Sequence, residues 1–273
     1  MSVALAPPQP PGLKAGMAVF GLWLLLAAGA AVLAPHDPEA QDLMRLLQGP
    51  GAVHWLGTDK LGRDLASRII YGARTDLAMS VLGVFPPFVI GCAIGALAGA
   101  LGGPLSVLLG GVIDVLEGFP RIVLVLLAVA ALGGDPRSYF LALALATWPA
   151  YARLTRAEWR RVRRSAFVRA AEGLGFRQCR IHLQHILPNA LTPAIARAPG
   201  DVVRLLLLAV ALGYFGLGVP PGAPEWGALL AEAQPLLPAA WWMAVFPGLA
   251  CLSLAMALNR LGDGVAARLA ERG

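Results

Sequence analysis

The sequence contains four histidines and three cysteines, the side chains most often used for metal binding and nucleophilic catalysis. The histidines all fall in polar segments between apolar runs. The apolar runs themselves contain neither the paired acids nor the histidine-rich spacing of an enzyme site. The cysteines show neither disulfide nor metal-ligand spacing and indicate free thiols. We therefore predict no catalytic residue and no bound metal. The seven residues are His36, His54, His182, His185, Cys92, Cys179 and Cys251.

A nucleotide-binding loop is also missing. The pattern Gly-x-x-x-x-Gly-Lys-Ser/Thr, which cradles phosphates, does not occur, and the lysines Lys14 and Lys60 are both badly placed for one. We expect no cofactor on this chain. If ATP and Mg²⁺ drive its activity, they must bind to another polypeptide.

Three charged residues, Asp114, Asp201 and Arg204, fall within apolar stretches. Charges inside a bilayer are costly and usually face protein or a water-filled path. Asp201 and Arg204 are three residues apart and can meet on one helix face. The sequence leaves open whether they form a structural ion pair or line a substrate path, and Asp114 is equally compatible with the cytoplasmic interface.

These residues must be positioned by membrane-spanning helices. The chain has 273 residues, of which 58% are hydrophobic and 14% charged, and its mean hydropathy is +0.67. A soluble domain is about 45–50% apolar and about 25% charged. Six apolar segments are predicted to span a lipid bilayer, giving an all-α polytopic membrane protein. They cover residues 17–34, 77–101, 105–132, 138–151, 191–219 and 239–258.

Arginines give the orientation. The segment between the fourth and fifth spans, about 153–188, carries nine arginines and few acids. Short loops rich in Lys and Arg remain cytoplasmic, so both termini are predicted to be cytoplasmic, and the concentration of basic residues in one loop indicates topology rather than nucleic-acid binding. The predicted organisation is a tail over 1–16, a first span over 17–34, an extracytoplasmic segment with an interfacial helix over 35–76, a five-span core over 77–258 and a tail over 259–273.

The arginine-rich segment also contains a short predicted helix. Its alanines give it a small-residue face that another protein can approach closely, and Gly175 is placed to end it. A basic amphipathic segment lying on anionic headgroups is the alternative, but it does not explain the spacing of the small residues. The residues predicted to couple this chain to a cytoplasmic motor are Arg169, Ala170, Ala171, Glu172, Gly175, Leu187 and Pro188.

A second motif lies in the extracytoplasmic segment. Gly57 and Gly62 permit tight turns, Thr58 or Asp59 can cap a short helix, and Leu65, Ile69 and Ile70 give that helix an apolar face. We predict an interfacial helix before the second span. Residues predicted to face a binding protein or a gate are Gly57, Thr58, Asp59, Gly62, Arg63, Asp64, Glu225 and Trp226.

The spacing Ala170-Ala171, Gly175 and Leu187-Pro188 resembles the conserved cytoplasmic loop of ABC importer permeases, Glu-Ala-Ala, three residues, Gly, nine residues, Ile, one residue, Leu-Pro. Arg169 stands where that family usually has Glu. The segment 54–74 and the motifs at 216–227, 241–248 and 259–264 are similar to the dipeptide, oligopeptide and nickel permeases, and this resemblance extends over about 34–272.

The resemblance implies a type I ABC importer permease of the MetI-like fold, multi-pass in the bacterial inner membrane. It also implies a homologous second permease, one or two cytoplasmic ATPase subunits that bind ATP and Mg²⁺, and an extracytoplasmic substrate-binding protein. The cargo stays open among dipeptides, oligopeptides, nickel and metal chelates.

Two alternatives differ in mechanism. A secondary transporter driven by an ion gradient usually shows internal repeats and broken helices, and the two halves of this chain show no convincing repeat. An intramembrane enzyme needs a catalytic set within the spans, which the positions of the histidines do not supply.

Overall fold

A computed structural model describes residues 12–132, 136–217 and 222–270. These ranges are helical apart from connecting segments and an isolated antiparallel bridge between Thr58 and Asp64. The helices are α1 Leu13–Ala28, α2 Ala30–Leu33, α3 Leu65–Leu101, α4 Gly103–Glu117, α5 Arg121–Leu132, α6 Pro136–Arg163, α7 Ala166–Gly173, α8 Gln178–Arg180, α9 Leu187–Tyr214, α10 Trp226–Ala233 and α11 Trp242–Ala270, with a π-helical turn Ile181–Ile186 before α9 and a 3₁₀ turn Gln234–Leu236 after α10.

The second predicted span is part of a longer helix. Helix α3 runs unbroken over 37 residues, about 55 Å at 1.5 Å per residue, which exceeds a hydrocarbon core of about 30 Å. The interfacial helix expected before the span is therefore not a separate element but the first turns of α3. Asp64 starts the helix because its side chain accepts a hydrogen bond from the Ser67 backbone N–H at 2.8 Å.

The third predicted span is not one straight helix. Helices α4 and α5 meet at 93° across a break at residues 118–120. Pro120 lacks the backbone N–H needed for a continuous helical ladder, and Gly118 ends α4 by donating its N–H to the Asp114 carbonyl at 3.2 Å. The segment predicted at 105–132 is either a broken span or a re-entrant pair.

Helices α3 and α11 are long and apolar enough to cross a membrane, and the bent pair α4–α5 gives a third candidate within the described residues. Helices α6 and α9 each have 28 residues, but charged side chains interrupt their apolar runs. Helix α1 has 16 residues, shorter than the about 20 of a typical span. The count of six spans therefore stays a prediction.

Two buried apolar clusters organise the packing. One joins α1, α3, α9, α10 and α11. Here the Trp23 indole N–H donates to the Ser253 hydroxyl at 2.9 Å, and the Trp23 ring packs edge-on against the Trp226 ring. The other joins α3, α5, α6 and α9. Helices α3 and α9 contribute to both clusters, so they hold the two halves of the domain together.

Candidate functional site

The short helix α7 ends as its glycine predicts. Gly175 has φ +77°, its N–H donates to the Glu172 carbonyl at 3.0 Å, and the Phe176 N–H donates to the Ala171 carbonyl at 3.2 Å. This is a Schellman ending with glycine in the left-handed position. A Cβ at Gly175 would meet no atom within 4 Å, so glycine is required there by backbone conformation rather than by space.

Helix α7 buries one face and exposes the other. Val168 and Ala171 pack against Ile181, Ile186 and Ala190 from the π-helical turn and the start of α9. The opposite face exposes Phe167 by 49% and, beyond the helix, Leu174 by 75%. Arg169, Ala170 and Glu172 are exposed with them. The result is an apolar and small-residue surface that no other described part of the chain covers.

Leu187 and Pro188 do not restart the chain as a separate helix. The backbone stays helical from Gln178 through the π-helical turn into α9, and Pro188 occupies the first turn of α9, where its missing N–H costs little. Ile181 and Ile186 are fully buried, whereas Leu183 is 57% exposed. The segment from Gln178 into α9 is therefore continuously helical and is anchored by two buried isoleucines.

Three arginines in the last turns of α6, which the sequence had assigned to a loop, fix the end of this helix to the junction of α3 and α4. The Arg156 guanidinium donates to the Ser106 carbonyl at 2.6 Å, Arg160 to the Ser106 hydroxyl at 2.9 Å and Arg163 to the Ala100 carbonyl at 3.2 Å. These arginines therefore have a structural role that charge counting along the sequence does not reveal.

A cavity of about 210 Å³ lies between α3, α5, α6 and α9. The Arg197 guanidinium donates to the Asp201 carboxylate at 2.8 Å, and Arg204 pairs with the other oxygen of Asp201. Arg121 also lines the cavity. Asp201 is 14 residues from the start of α9, about 21 Å along its axis. Two arginines pair with this acid, and a third lines the same cavity.

The predicted intramembrane residues thus separate into two places. Asp201 and Arg204 are brought together in the cavity, while Asp114 is exposed on α4 and is not part of its lining. Arg197 and Arg121 were not predicted as site residues. Arg197 could have been predicted from sequence, since it stands four residues before Asp201 on the same helix. Arg121 could not, because only the bend between α4 and α5 brings it to the cavity.

A network of buried ion pairs lies at the other end of α3. Asp59 accepts from Arg63 at 2.6 Å and from Arg68 at 2.5 Å, and Arg68 also donates to Glu232 on α10 at 2.9 Å. The Arg68 side chain is fully buried. A buried charge is tolerated only when paired, so this network fixes the 57–64 turn against α3 and α10. Glu232 was missed because it is 164 residues from Arg68 in sequence.

The motif residues of the outer segment are almost all buried. Thr58, Asp64, Glu225 and Trp226 are at most 2% exposed. The Trp226 indole N–H donates to the Ile69 carbonyl at 3.0 Å, which ties α10 to α3. These side chains build a buried platform at the start of α3, and a partner protein would have to contact their exposed neighbours.

The two glycines of that segment fill backbone requirements. Gly57 has φ +84° and Gly62 has φ +73°. A Cβ on Gly62 would lie 1.9 Å from the Asp42 carbonyl oxygen. The tight turn therefore depends on glycine both for conformation and for space.

The family follows from residues 91–272, which match the model of the binding-protein-dependent transport system inner membrane component. The chain belongs to this family of transporter permeases. The permease is a non-catalytic, multi-pass inner-membrane subunit, and ATP is used by a partner ATPase. Its family implies an ATPase and a binding protein as partners. An ion-gradient mechanism and an intramembrane enzyme, the two alternatives from sequence, do not agree with this membership.

Curated relatives are similar in sequence over most of the permease. It is 34% identical to the dipeptide transport system permease protein DppC of Alkalihalophilus pseudofirmus, over 92% of this chain and 82% of the relative. It is 37% identical to the probable D,D-dipeptide transport system permease protein DdpC of Escherichia coli, over 89% and 82%. It is 36% identical to the glutathione transport system permease protein GsiD of Pectobacterium atrosepticum, over 90% and 83%.

Solved structures agree on the fold. The permease superposes on a chain of the inward-facing MetNI methionine ABC transporter with TM-score 0.61 and 17% identity, covering 74% of this chain and 96% of that one. A crystal structure of an amino acid ABC transporter gives TM-score 0.58 at 16% identity, with coverage of 74% and 94%. The predicted MetI-like, all-α fold is confirmed.

Proposed function

We propose that this permease forms half of a pore that imports small peptides, and that helix α7 transmits the force of ATP hydrolysis to it. The observation that carries the coupling role is the exposed outer face of α7, held rigid by the buried inner face and by the Schellman ending at Gly175. The curated relatives transport dipeptides and glutathione, which supports a peptide cargo. Nickel and metal chelates are the alternative cargoes.

The proposed assembly has two homologous permeases, two ATPase domains on one or two chains and an extracytoplasmic binding protein. In the proposed topology of six spans, the tails 1–16 and 259–273 and the coupling segment 153–188 lie in the cytoplasm, and the segment 35–76 lies outside. Arg169 replaces the usual Glu of the coupling motif. It and Glu172 are both exposed, so either side chain is available to a partner.

The cavity around Asp201 is the proposed pathway wall on this subunit. Three arginines against one acid leave an excess of two positive charges among the four groups. A free peptide carries a carboxylate that arginine binds well through a two-pronged hydrogen bond. The cavity chemistry is therefore compatible with a peptide cargo.

The coupling role is tested by comparing two separate glycine-to-alanine substitutions at the end of α7. Gly175→Ala places a side chain in the left-handed conformation, at a cost of about 1–2 kcal/mol. Gly173→Ala is the matched control, since Gly173 is helical and a Cβ there meets nothing within 4 Å. ATP-dependent dipeptide uptake by the complete transporter should fall about 5- to 30-fold in Gly175→Ala and be unchanged in Gly173→Ala.

ATP hydrolysis by the Gly175→Ala transporter should no longer be coupled to uptake. The amount of this permease in the membrane should equal that of the Gly173→Ala control. Equal uptake by both variants at equal protein level would contradict the coupling role. Uptake that survives ATP depletion while the ion gradient is intact would contradict the ABC mechanism as a whole.

A further inference from the structure

Two histidines and an aspartate from three separate segments meet at the end of the permease opposite the arginine-rich loop. His36 follows α2, His54 lies in the loop before α3, and Asp64 is the residue that caps α3. One ligand atom of each residue lies within 4.8 Å of those of the other two. His54 and Asp64 are buried, at 7% and 2% exposure.

Two of the three ligand-atom distances are close to those around a small divalent metal. His54 Nδ1 is 2.9 Å and His36 Nδ1 is 3.6 Å from the same oxygen, Oδ1 of Asp64. Ligand atoms about 2.0–2.1 Å from a tetrahedral zinc ion are about 3.3 Å from one another. Metal binding would require the His36 and His54 rings to move until all three atoms reach that separation, from the present spread of up to 4.8 Å. The donor set of two imidazoles and one carboxylate is one that zinc commonly uses.

The carboxylate is held in place by a second layer of hydrogen bonds. Asp64 Oδ2 accepts from the Ser67 backbone N–H at 2.8 Å and from the Ser67 hydroxyl at 2.7 Å, and the same hydroxyl accepts from the His36 backbone N–H at 2.9 Å. The capping role therefore occupies Oδ2 and leaves Oδ1 directed at the imidazoles. Such support orients metal ligands and raises their affinity.

The charge around Asp64 differs from that around the neighbouring Asp59. Asp59 is paired with two arginines. Within the described ranges, no Lys or Arg nitrogen lies within 4.0 Å of the Asp64 carboxylate, and its ion-pair partners are His36 and His54. A buried carboxylate requires a compensating cation, and a metal ion held by the two imidazoles would supply it.

The site is open on one side. The His36 side chain is 38% exposed and borders a polar cavity of about 580 Å³ that is also lined by Asp37, Glu39 and Tyr71. The two acidic residues favour the approach of a cation, and the opening leaves a fourth coordination position for water or another ligand.

We propose that His36, His54 and Asp64 bind a divalent transition metal of the zinc class. The bound metal fastens the segment after α2 to the start of α3 and so stabilises the outer platform. The metal is a resident of the permease and is distinct from the cargo that crosses it.

The two other histidines provide a matched control. His182 and His185 lie in the coupling segment, three residues apart; His185 stacks on Phe176, and His182 contacts Trp159 with the two rings tilted by 58°. The test uses full-length permease purified with its copurifying subunits and without a polyhistidine tag. Zn²⁺ binding is measured by equilibrium dialysis with elemental analysis, and Co²⁺ binding by its visible absorption.

Wild-type protein and the His182→Ala/His185→Ala variant should each bind one Zn²⁺ per permease at this site. The His36→Ala variant should bind it at least about tenfold more weakly and lose the tetrahedral Co²⁺ bands. His36 is partly exposed, so its replacement is not expected to unfold the protein, and gel filtration checks this. Absence of Zn²⁺ binding in wild type, or equal binding by wild type and His36→Ala, would overturn the site.

Discussion

At the scale of single residues, the charged groups of α9 set the chemistry of the proposed pathway. Arg197 and Arg204 flank Asp201 on consecutive turns, and the Arg204 side chain is 58% exposed while Asp201 is 11% exposed. One acid cannot neutralise two arginines. The more exposed guanidinium therefore has hydrogen-bonding capacity left for an anionic group that enters the cavity.

Replacing Arg204 tests this charge. We expect Arg204→Gln to raise the KM for a dipeptide with a free carboxylate by at least about tenfold, since a hydrogen bond to a charged group contributes about 1.5–3 kcal/mol. The KM for the same dipeptide with an amidated C-terminus should change little. Arg45→Gln, on the outer surface and in an exposed pair with Asp42 at 3.5 Å, is the control. An equal rise for both peptides would exclude carboxylate recognition.

At the scale of elements, the contact between α3 and α6 determines how closely the bundle packs. A Cβ at Gly91 would lie 2.4 Å from the Trp148 carbonyl oxygen, and one at Gly95 would lie 2.4 Å from the Ala152 carbonyl oxygen. The two backbones touch at these glycines. Small residues at such positions let membrane helices approach closely enough for extensive van der Waals contact.

A valine at this contact should separate the helices. We expect Gly95→Val to destabilise the permease by about 1–3 kcal/mol, the usual cost of overpacking, and to lower the thermal denaturation midpoint of the purified transporter. Gly111→Val on α4 is the control, because a Cβ at Gly111 meets nothing within 4 Å. Equal midpoints for the two variants would show that the α3–α6 contact can adjust freely.

At the scale of the whole molecule, the two proposed functional surfaces lie at opposite ends of α3. The ion-pair network and the histidine cluster surround its first turns, and Arg163 from the coupling segment reaches Ala100 at its last turn. A helix of about 55 Å separates them. This arrangement agrees with one end outside the membrane and the other in the cytoplasm.

The native cysteines allow the orientation to be measured. Cys179 in the coupling segment is exposed, whereas Cys92 and Cys251 are buried. A membrane-impermeant maleimide should label Cys179 in inside-out vesicles and not in right-side-out ones. Met44→Cys in a Cys179→Ser background should show the reverse pattern, since Met44 is 94% exposed on the outer segment. Labelling of Cys179 in right-side-out vesicles would show that the true topology is the inverse of the proposed one.

The sequence alone determined the features that depend on neighbouring residues. Apolar runs predicted an all-α membrane protein, and Gly175 predicted the end of α7, whose Schellman ending depends on backbone within a few residues. The predicted cap of the helix before the second span, Thr58 or Asp59, was wrong, since Asp64 caps α3. The ordered motifs over about 34–272 predicted the permease family. These features can be predicted because local backbone conformation and the free energy of transfer into a bilayer depend on residues close together in the chain.

Only the tertiary structure decided what distant residues do together. It joined the expected interfacial helix to α3, bent the third apolar segment by 93° and placed Glu232 against Arg68. It also assembled His36, His54 and Asp64, for which no metal had been predicted because their spacing matches no ligand motif. Packing of separate helices brings such groups together, and the energy of those contacts depends on geometry that no single segment contains.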